Sequence, residues 1–312
     1  MDTIGDKTKA ERVKILFKRI VANRSYCFNF AIKWTGVLFT IWGMITLFTP
    51  SDDLLDSTLA WWIRLLLAVS IVVGIFILIY FIGVICALKT NKIELMNVGN
   101  NHHVYVQYGD ALSPDVLSEN AVTNRRNILV SVNRCFDTII DDDLISSKSL
   151  HGQAMKYLYA VGEYTEETLN AKIQQILINQ PYISVTRNSK PKGNLKRYTE
   201  GTVAEIQSSS GCTFFFLGLT SFDRMLHPYI SDVEYGTSLI KALQYCIDRN
   251  QGYPVIVPLI GGGRAQTRKE EKDILEFLVK LIQMNRLSIN CDIHIVVRES
   301  AKDSISILRL KK

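Results

Sequence analysis

Leu65 to Leu88 reads LLLAVSIVVGIFILIYFIGVICAL. These 24 residues contain no charged side chain. As a helix they reach ~36 Å at 1.5 Å per residue, enough to cross a hydrocarbon core about 30 Å thick with some tilt. The competing reading, a buried core helix, calls for a shorter run. Upstream, Trp34 to Ser51 (WTGVLFTIWGMITLFTPS) is also uncharged, and Ala31 and Ile32 extend it past Lys33. Lys33 can snorkel along its own apolar stem. Pro50-Ser51-Asp52-Asp53 ends this first span, and Trp34, Trp61 and Trp62 fall near span ends, where indole rings favour the headgroup layer. A cleaved signal peptide fits poorly: about thirty residues precede the span, and no small-residue cleavage pattern follows it. The expectation is a transmembrane helical hairpin.

The flanking charge orients the hairpin. Residues 1–26 hold seven Lys/Arg against three acids, the connection between the spans carries Asp52, Asp53 and Asp56, and Lys89 and Lys92 follow the second span. Positive-inside bias then places both termini in the cytoplasm of a multi-pass protein of the cell's inner (plasma) membrane. Two readings stand for the basic segment Lys7–Val21 (KTKAERVKILFKRIV): an amphipathic helix lying on anionic lipid, or a cytosolic extension of the first span. Three regions follow: a basic cytosolic segment at 1–26, the two-helix anchor at 27–90 and one cytosolic domain at 91–312. The six cysteines are dispersed without a CxxC pair, mostly within apolar runs, as buried thiols in a reducing compartment are.

Beyond residue 90 the pattern alternates. Strands are expected at 93–98, 103–107, 127–132, 202–207, 213–219, 255–260 and 292–297. Helices are expected at 150–161, 166–177, 231–249 and 267–284. Ser231 or Asp232 can cap the third helix, with Glu234 in its first turn. Residues 187–201, polar and basic, read as a surface loop. Short apolar strands alternating with helices imply an α/β sheet covered on both faces, and a hairpin signal at Gly99-Asn100-Asn101 makes the sheet mixed.

Four stretches can carry chemistry. Val255-Ile256-Val257-Pro258-Leu259-Ile260 runs into Gly261-Gly262-Gly263-Arg264. Glycines that leave a strand and precede a helix let backbone amides approach a diphosphate, and Arg264 adds a planar cation. A ligand-free tight turn reads equally from those glycines. Asp110, in Gly109-Asp110-Ala111, follows a strand and can accept from an exocyclic amine or simply close a turn. Asn133 ends a strand, and downstream Ser149-Leu150-His151-Gly152 opens a helix, a place for phosphate or ribose. Thr220-Ser221-Phe222-Asp223-Arg224 can form a polar wall or a structural cap. Asp141-Asp142-Asp143 reads as a solvated loop, so no metal is expected. Nucleic-acid binding is not expected, because the basic residues lack aromatic interleaving.

In this order these pieces resemble the macro domain, an ADP-ribose-binding α/β/α module. Gly109-Asp110-Ala111 matches its Gly-Asp motif, whose Asp meets adenine. Val132-Asn133-Arg134-Cys135 matches part of its Val-Asn-Ala-Ala-Asn strand end. Pro258-Leu259-Ile260-Gly261-Gly262-Gly263 matches its phosphate loop. The glycine-rich first phosphate loop is replaced by Ser149-Leu150-His151-Gly152. The second Asn used by hydrolytic macro domains is absent, which favours binding over ADP-ribosyl hydrolysis; a membrane-tethered hydrolase using His151 or Asp137 is the alternative. Together with two transmembrane helices, the pattern resembles the membrane-anchored macro-domain effectors of bacterial Thoeris antiphage systems. That resemblance implies a three-layer macro-like domain and a non-enzymatic effector with no cofactor and no catalytic residue. Its ligand would be an ADP-ribose derivative such as histidine-ADP-ribose, made by a TIR-domain enzyme. Its implied binding residues are Asp110, Asn133, Ser149, Leu150, His151, Gly152, Gly261, Gly262, Gly263 and Arg264. Its implied partners are that enzyme, the lipid bilayer and further copies of the chain in a homo-oligomer that disrupts the membrane.

Overall fold

The computed structural model describes residues 9–46, 60–98, 101–117, 125–261 and 269–311. The chain divides into two compact units, 1–93 with 300–312, and 94–299. The boundary expected near residues 90–100 therefore falls at Ile93. The last thirteen residues group with the helices instead of with the domain that precedes them.

In the first unit, α1 spans Lys9–Thr46 and α2 spans Trp61–Lys89. Both are long and apolar enough to cross a membrane. The basic segment and the first apolar span form one unbroken helix, so the segment is a helical extension of the span. Along α2 the apolar side chains are uncovered, Leu78 and Phe81 among them, and Trp61 and Trp62 stand exposed at its start. Such a surface is unfavourable in water and favourable in hydrocarbon. The two helices meet through small residues: Cys27 and Ala31 on α1 are fully buried, and Ala87 on α2 is buried as well. At Gly83 an added Cβ would lie 3.1 Å from Phe30 Cδ1 and 3.6 Å from the Cys27 backbone. Gly36, Gly43 and Gly74 instead have nothing within 4 Å of that position.

The second unit is built on an eight-stranded mixed sheet. Its strands are β1 (Lys92–Asn97), β2 (His103–Tyr108), β3 (Arg126–Asn133), β6 (Val203–Gln207), β7 (Cys212–Phe222), β8 (Pro228–Tyr229), β9 (Val255–Pro258) and β10 (Ile293–Val297). The order is β1-β2-β10-β9-β3-β7-β6, with β8 beside β7. Neighbours from β2 through β7 pair in parallel, while β6 runs antiparallel to β7. The helices α3 (Leu150–Ala160), α4 (Glu166–Ile176), α5 (Asp232–Arg249) and α6 (Glu271–Met284) complete it.

Phe214, Phe215 and Phe216 on β7 are all fully buried. Successive side chains of a strand point to opposite faces, so both faces of the sheet must be covered. Phe214 and Phe216 join Met155 and Leu158 of α3 and Leu169 and Ile173 of α4 in one core. Phe215 meets Tyr245 of α5 edge-on at 5.3 Å, and Tyr235 of α5 lies against Phe277 of α6. Three layers result, as expected. The capping of α5 is also as read: Ser231 Oγ accepts from the Glu234 amide, and the Glu234 carboxylate accepts from the Ser231 amide.

Two expectations need correction. Residues 187–201 are more than a surface loop, for β5 (Lys196–Tyr198) pairs antiparallel with β4 (Tyr182–Ser184), and Lys190 and Tyr198 are buried. A lysine reads as solvated in sequence because its counter-charge, Asp137, lies 53 residues away. The helix expected from Thr267 begins at Glu271, for Lys269 and Glu270 are not helical.

The small-residue contact predicts a selective effect. Gly83→Leu, which overpacks the α1–α2 contact, is expected to cost about 1–3 kcal/mol, while Gly74→Leu leaves hairpin stability unchanged. Thermal unfolding of the full chain in detergent checks this; equal melting of the two variants would refute it.

Candidate ligand-binding site

Because β2, β10, β9, β3 and β7 are parallel, their carboxyl ends lie along one edge of the sheet. Open α/β sheets bind ligands at that edge. The structure places Asp110, Asn133 and Gly261 there, after β2, at the end of β3 and after β9. Gly262, Gly263 and Arg264 lie outside the described residues.

Asp110 is exposed. Its Oδ1 accepts from the Leu112 amide at 3.0 Å and its carbonyl accepts from the Ser113 amide at 3.1 Å, so it closes the turn while its carboxylate still faces solvent. The preceding Gly109 amide donates to the Val297 carbonyl at 2.9 Å, tying this turn to the end of β10. Gly261 is buried with φ +96°, a left-handed conformation that suits glycine. Just before it, the Ile260 carbonyl accepts from the Tyr235 hydroxyl at 2.7 Å. Burial pushes the Tyr235 pKa up, so the hydroxyl remains a donor. Tyr235 thus pins the peptide from which the glycines depart. Nothing in the sequence marks it, because the contact spans 25 residues.

Asn133 is buried. Its Oδ1 accepts from the Cys135 amide at 3.0 Å, while its Nδ2 faces the Asp137 carboxylate without reaching hydrogen-bonding geometry. The turn is tight: Phe136 has φ +53°, and its amide donates to the Asn133 carbonyl at 2.9 Å. Arg134 does not face a ligand, being tied to the Tyr198 carbonyl and the Glu234 carboxylate, each at 2.8 Å.

Ser149–Gly152 forms the capped start of α3. Ser149 Oγ accepts from the Gly152 amide at 3.0 Å and donates to the Ser146 carbonyl at 2.7 Å. A Cβ on Gly152 would stand 2.2 Å from that carbonyl, so only glycine lets the turn close here. Leu150 packs against the core. His151 is buried beside Phe216, ring centroids 6.4 Å apart. Burial drives its pKa down to about 3, so the imidazole is neutral at physiological pH. It is a poor candidate for an exposed general acid.

Asp137, the other residue considered for proton transfer, is locked. Lys190 Nζ lies 2.8 Å from its Oδ2 and donates to its Oδ1 at 3.1 Å, and the Asn194 amide donates to Oδ1 at 2.6 Å. Burial pushes the carboxyl pKa up, against the opposing pull of the Lys190 ammonium. In the Asp141–Asp143 run, Asp141 caps the Asp143 and Leu144 amides and Lys192 pairs with both Asp141 and Asp143. Among the described residues no cluster of His, Cys, Asp and Glu is suited to hold a metal ion.

Beyond Asn133, a cavity of about 310 Å³ opens where β3 and β7 end, lined by Cys135, Lys190, Arg197, Phe222, Arg224 and Tyr229 among others. Arg197 donates to the Tyr229 hydroxyl at 3.2 Å. Its Nε is buried and has no hydrogen-bond partner among the described residues. Asp223 also lines it and Lys190 is paired with Asp137, so Arg197 and Arg224 are the cations there that can meet an anionic group. A smaller hollow of about 170 Å³ is lined by Asp137, Glu166, Glu167 and Asn194. Neither cavity is lined by Asp110, Asn133 or Gly261. Sequence reasoning missed Lys190 and Arg197, whose loop read as solvated. It did flag Phe222-Asp223-Arg224, which form a wall, and Asp223 also caps the Met225 and His227 amides, each at 2.8 Å.

A family model described as "Thoeris protein ThsA, Macro domain" matches residues 104–298. Thoeris protein ThsA of Bacillus amyloliquefaciens (strain Y2) is 25% identical over 215 residues, which cover 67% of this chain and 64% of that protein. The chain therefore spans just under two thirds of that relative's length. Among solved structures, the Oceanobacillus iheyensis macrodomain with ADP aligns at a TM-score of 0.46 and 9% identity, covering 70% of this chain and 95% of that one. The same macrodomain with MES bound aligns at 0.43 and 11% identity, covering 70% and 95%.

Two predictions follow from the buried polar groups. Lys190→Ala strands the Asp137 carboxylate and is expected to cost about 3–5 kcal/mol. The paired replacement Asp137→Leu with Lys190→Met should recover most of that loss. Chemical denaturation of the full chain in detergent measures both, and a paired variant as unstable as the single one would count against the ion pair. For His151, the native state refuses a proton that the unfolded chain binds. Its contribution to stability is full above about pH 6.5 and is lost progressively as pH falls toward about 3. His151→Asn should flatten the decline in stability between pH 6.5 and 4.5 by up to about 1.4 kcal/mol per pH unit. Parallel slopes for the two proteins would contradict a neutral buried imidazole.

Proposed function

Because the chain belongs to the Thoeris ThsA macro-domain family, we propose that it is an antiphage-defence effector at the membrane, switched on when its macro-like domain binds an ADP-ribose-derived signal. The observation that carries this reading is the family match over residues 104–298, with Asp110, Asn133 and Gly261 on a single sheet edge. The adenine sits by the Asp110 carboxylate. The diphosphate lies along the turns that begin at Gly261, with Gly262, Gly263 and Arg264, and at Ser149–Gly152. The distal ribose reaches Asn133. The cavity beyond, with Arg197 and Arg224, takes the acidic end of an appended amino acid, as in histidine-ADP-ribose.

The signal comes from a TIR-domain enzyme. Two helices long and apolar enough to cross a membrane support attachment of this domain to the inner face of the plasma membrane, both termini cytoplasmic. Bound signal favours association of the hairpins of several copies, and the assembly disrupts the bilayer. Binding, rather than hydrolysis, is favoured because His151 is buried and neutral and Asp137 is held by Lys190.

Isothermal calorimetry on the full chain in nanodiscs tests this. Histidine-ADP-ribose should bind at micromolar or tighter affinity, and Asp110→Ala should weaken it at least tenfold, ~1.4 kcal/mol. Arg197→Ala should erase any preference over plain ADP-ribose. Flat titrations with both compounds, or turnover of either, would overturn the effector reading.

A further inference from the structure

The two-stranded sheet of β4 and β5 leaves β4 with an open edge. In the antiparallel ladder Ile183 stands opposite Arg197, Tyr182 opposite Tyr198 and Ser184 opposite Lys196. Beyond the strand ends, the Thr199 amide donates to the Pro181 carbonyl at 3.2 Å and the Val185 amide to the Leu195 carbonyl at 2.8 Å. Hydrogen-bonded pairs alternate along such a ladder, so residues 181, 183 and 185 turn their backbone groups toward β5. Tyr182 and Ser184 turn theirs the other way. On β5 the same alternation sends the Tyr198 amide outward, where it donates to the Arg134 carbonyl at 2.9 Å. Among the described residues, no backbone group meets the outward groups of Tyr182 and Ser184.

This edge lacks the devices that ordinarily protect one. Residues 178–184 are all exposed, Ile178 and Ile183 among them. From Ile176 to Thr186 no side chain is charged, in a chain whose residues are 21% charged. Natural edges are blunted by charge, by a bulge or by a covering segment. The nearest cation, Lys196, lies on β5 and is folded over the Tyr182 ring at 4.9 Å. Pro181 does not blunt the edge either, because its missing N–H falls on the side that faces β5.

We propose that this edge joins two copies of the chain, β4 against β4, antiparallel about a two-fold axis at Ile183. In that register Tyr182 faces the second copy's Ser184. Both residues turn donors and acceptors to the interface, so every outward group is paired. Ile183 faces its own counterpart as a non-hydrogen-bonded pair, the kind whose side chains approach most closely. A slip by one residue would set outward groups against inward ones and pair nothing. Charge selects the occupant: an uncharged edge has nothing to offer a charged strand, and against an identical strand it meets no like charge. The nearest cations on the Ile183 face are the two Arg197 side chains. Three strand spacings, ~14 Å, separate them, more than a screening length of about 8 Å. The product is a four-stranded sheet, which is more stable than an isolated hairpin. Two such short edges bury less than the ~1,600 Å² of a standard interface, so the pairing needs the local concentration that copies held at one bilayer provide. It rests on the membrane attachment proposed above and not on the nucleotide reading.

Disulfide trapping on the full chain, without nucleotide, in liposomes of phosphatidylethanolamine and phosphatidylglycerol tests the pairing. Flotation of the vesicles reports attachment separately, and a chain that does not float overturns the premise and not the geometry of the edge. Under mild oxidation Ile183→Cys should give at least about fivefold more covalent dimer than the wild-type chain, whose own six cysteines set the background. Peptide mapping should place the link between the two copies of position 183. Thr186→Cys, also exposed, should stay at background, because the register sets its two copies ~20 Å apart. Adding Ser184→Pro to Ile183→Cys deletes an outward donor that β5 does not use and should cut the dimer at least about fivefold. If that double variant fails to fold, the comparison of the two cysteine variants still decides. Background-level dimer from Ile183→Cys, equal dimer from Thr186→Cys, or a folded Ser184→Pro variant that links as well as its parent would each overturn the proposal.

Discussion

The parallel pairing of β3 with β7, and of both with β9, β10 and β2, is the constraint on which the rest of the domain depends. Parallel strands cannot be joined by tight turns, so each must be followed by a crossover that runs back over one face of the sheet. The crossovers here are α3 with α4 on one face and α5 and α6 on the other. They bury both faces, which is why β7 carries Phe214, Phe215 and Phe216 in succession without exposing any of them. The same geometry sends every strand exit to one edge. Asp110, Asn133 and Gly261 lie on the same edge of the sheet because their strands are parallel, although more than 120 residues separate the last two.

Several polar groups in this interior are supplied with partners, whereas Asn133 Nδ2 and Arg197 Nε have no hydrogen-bond partner among the described residues. Asn133 lends its side-chain oxygen to the next turn. Asp137 and Lys190 meet as a buried pair, with the Asn194 amide as a further donor to the carboxylate. The pair joins the segment after β3 to the β4–β5 hairpin and so shapes the wall of the cavity beyond Asn133. Charge that is compensated in this way positions the loop but is not available for proton transfer. The neutral His151 is a related case: it fills a core position at the start of α3, next to Phe216.

The helical unit, whose two helices are long and apolar enough to cross a membrane, follows a different rule. Its two helices carry their apolar side chains outward and keep small residues, Cys27, Ala31, Gly83 and Ala87, for each other. Polar contacts are concentrated at the basic end of α1, where Arg19 and Asn23 receive the end of the chain. Residues 300–311 thus serve a unit whose other residues are far from them in sequence.

Much of this was legible from local pattern. An uncharged run of 24 residues specifies a membrane-competent helix because hydrocarbon accepts no other arrangement of an unpaired backbone. Apolar strands alternating with helical periodicity specify a covered sheet, and Ser231 with Glu234 specifies a helix start, because those interactions lie within a few residues. Glycine after β9 and aspartate after β2 were legible as turn chemistry. What only the tertiary structure decided are the contacts between residues distant in sequence: Lys190 with Asp137, Tyr235 with Ile260, Asp303 with Arg19. The loop that holds Lys190 reads as solvated until the fold supplies Asp137. The physical reason is that hydropathy and periodicity report the environment a residue prefers on its own, whereas a buried charge or a bridging tail is stable only through a specific counterpart that the chain brings to it from far away.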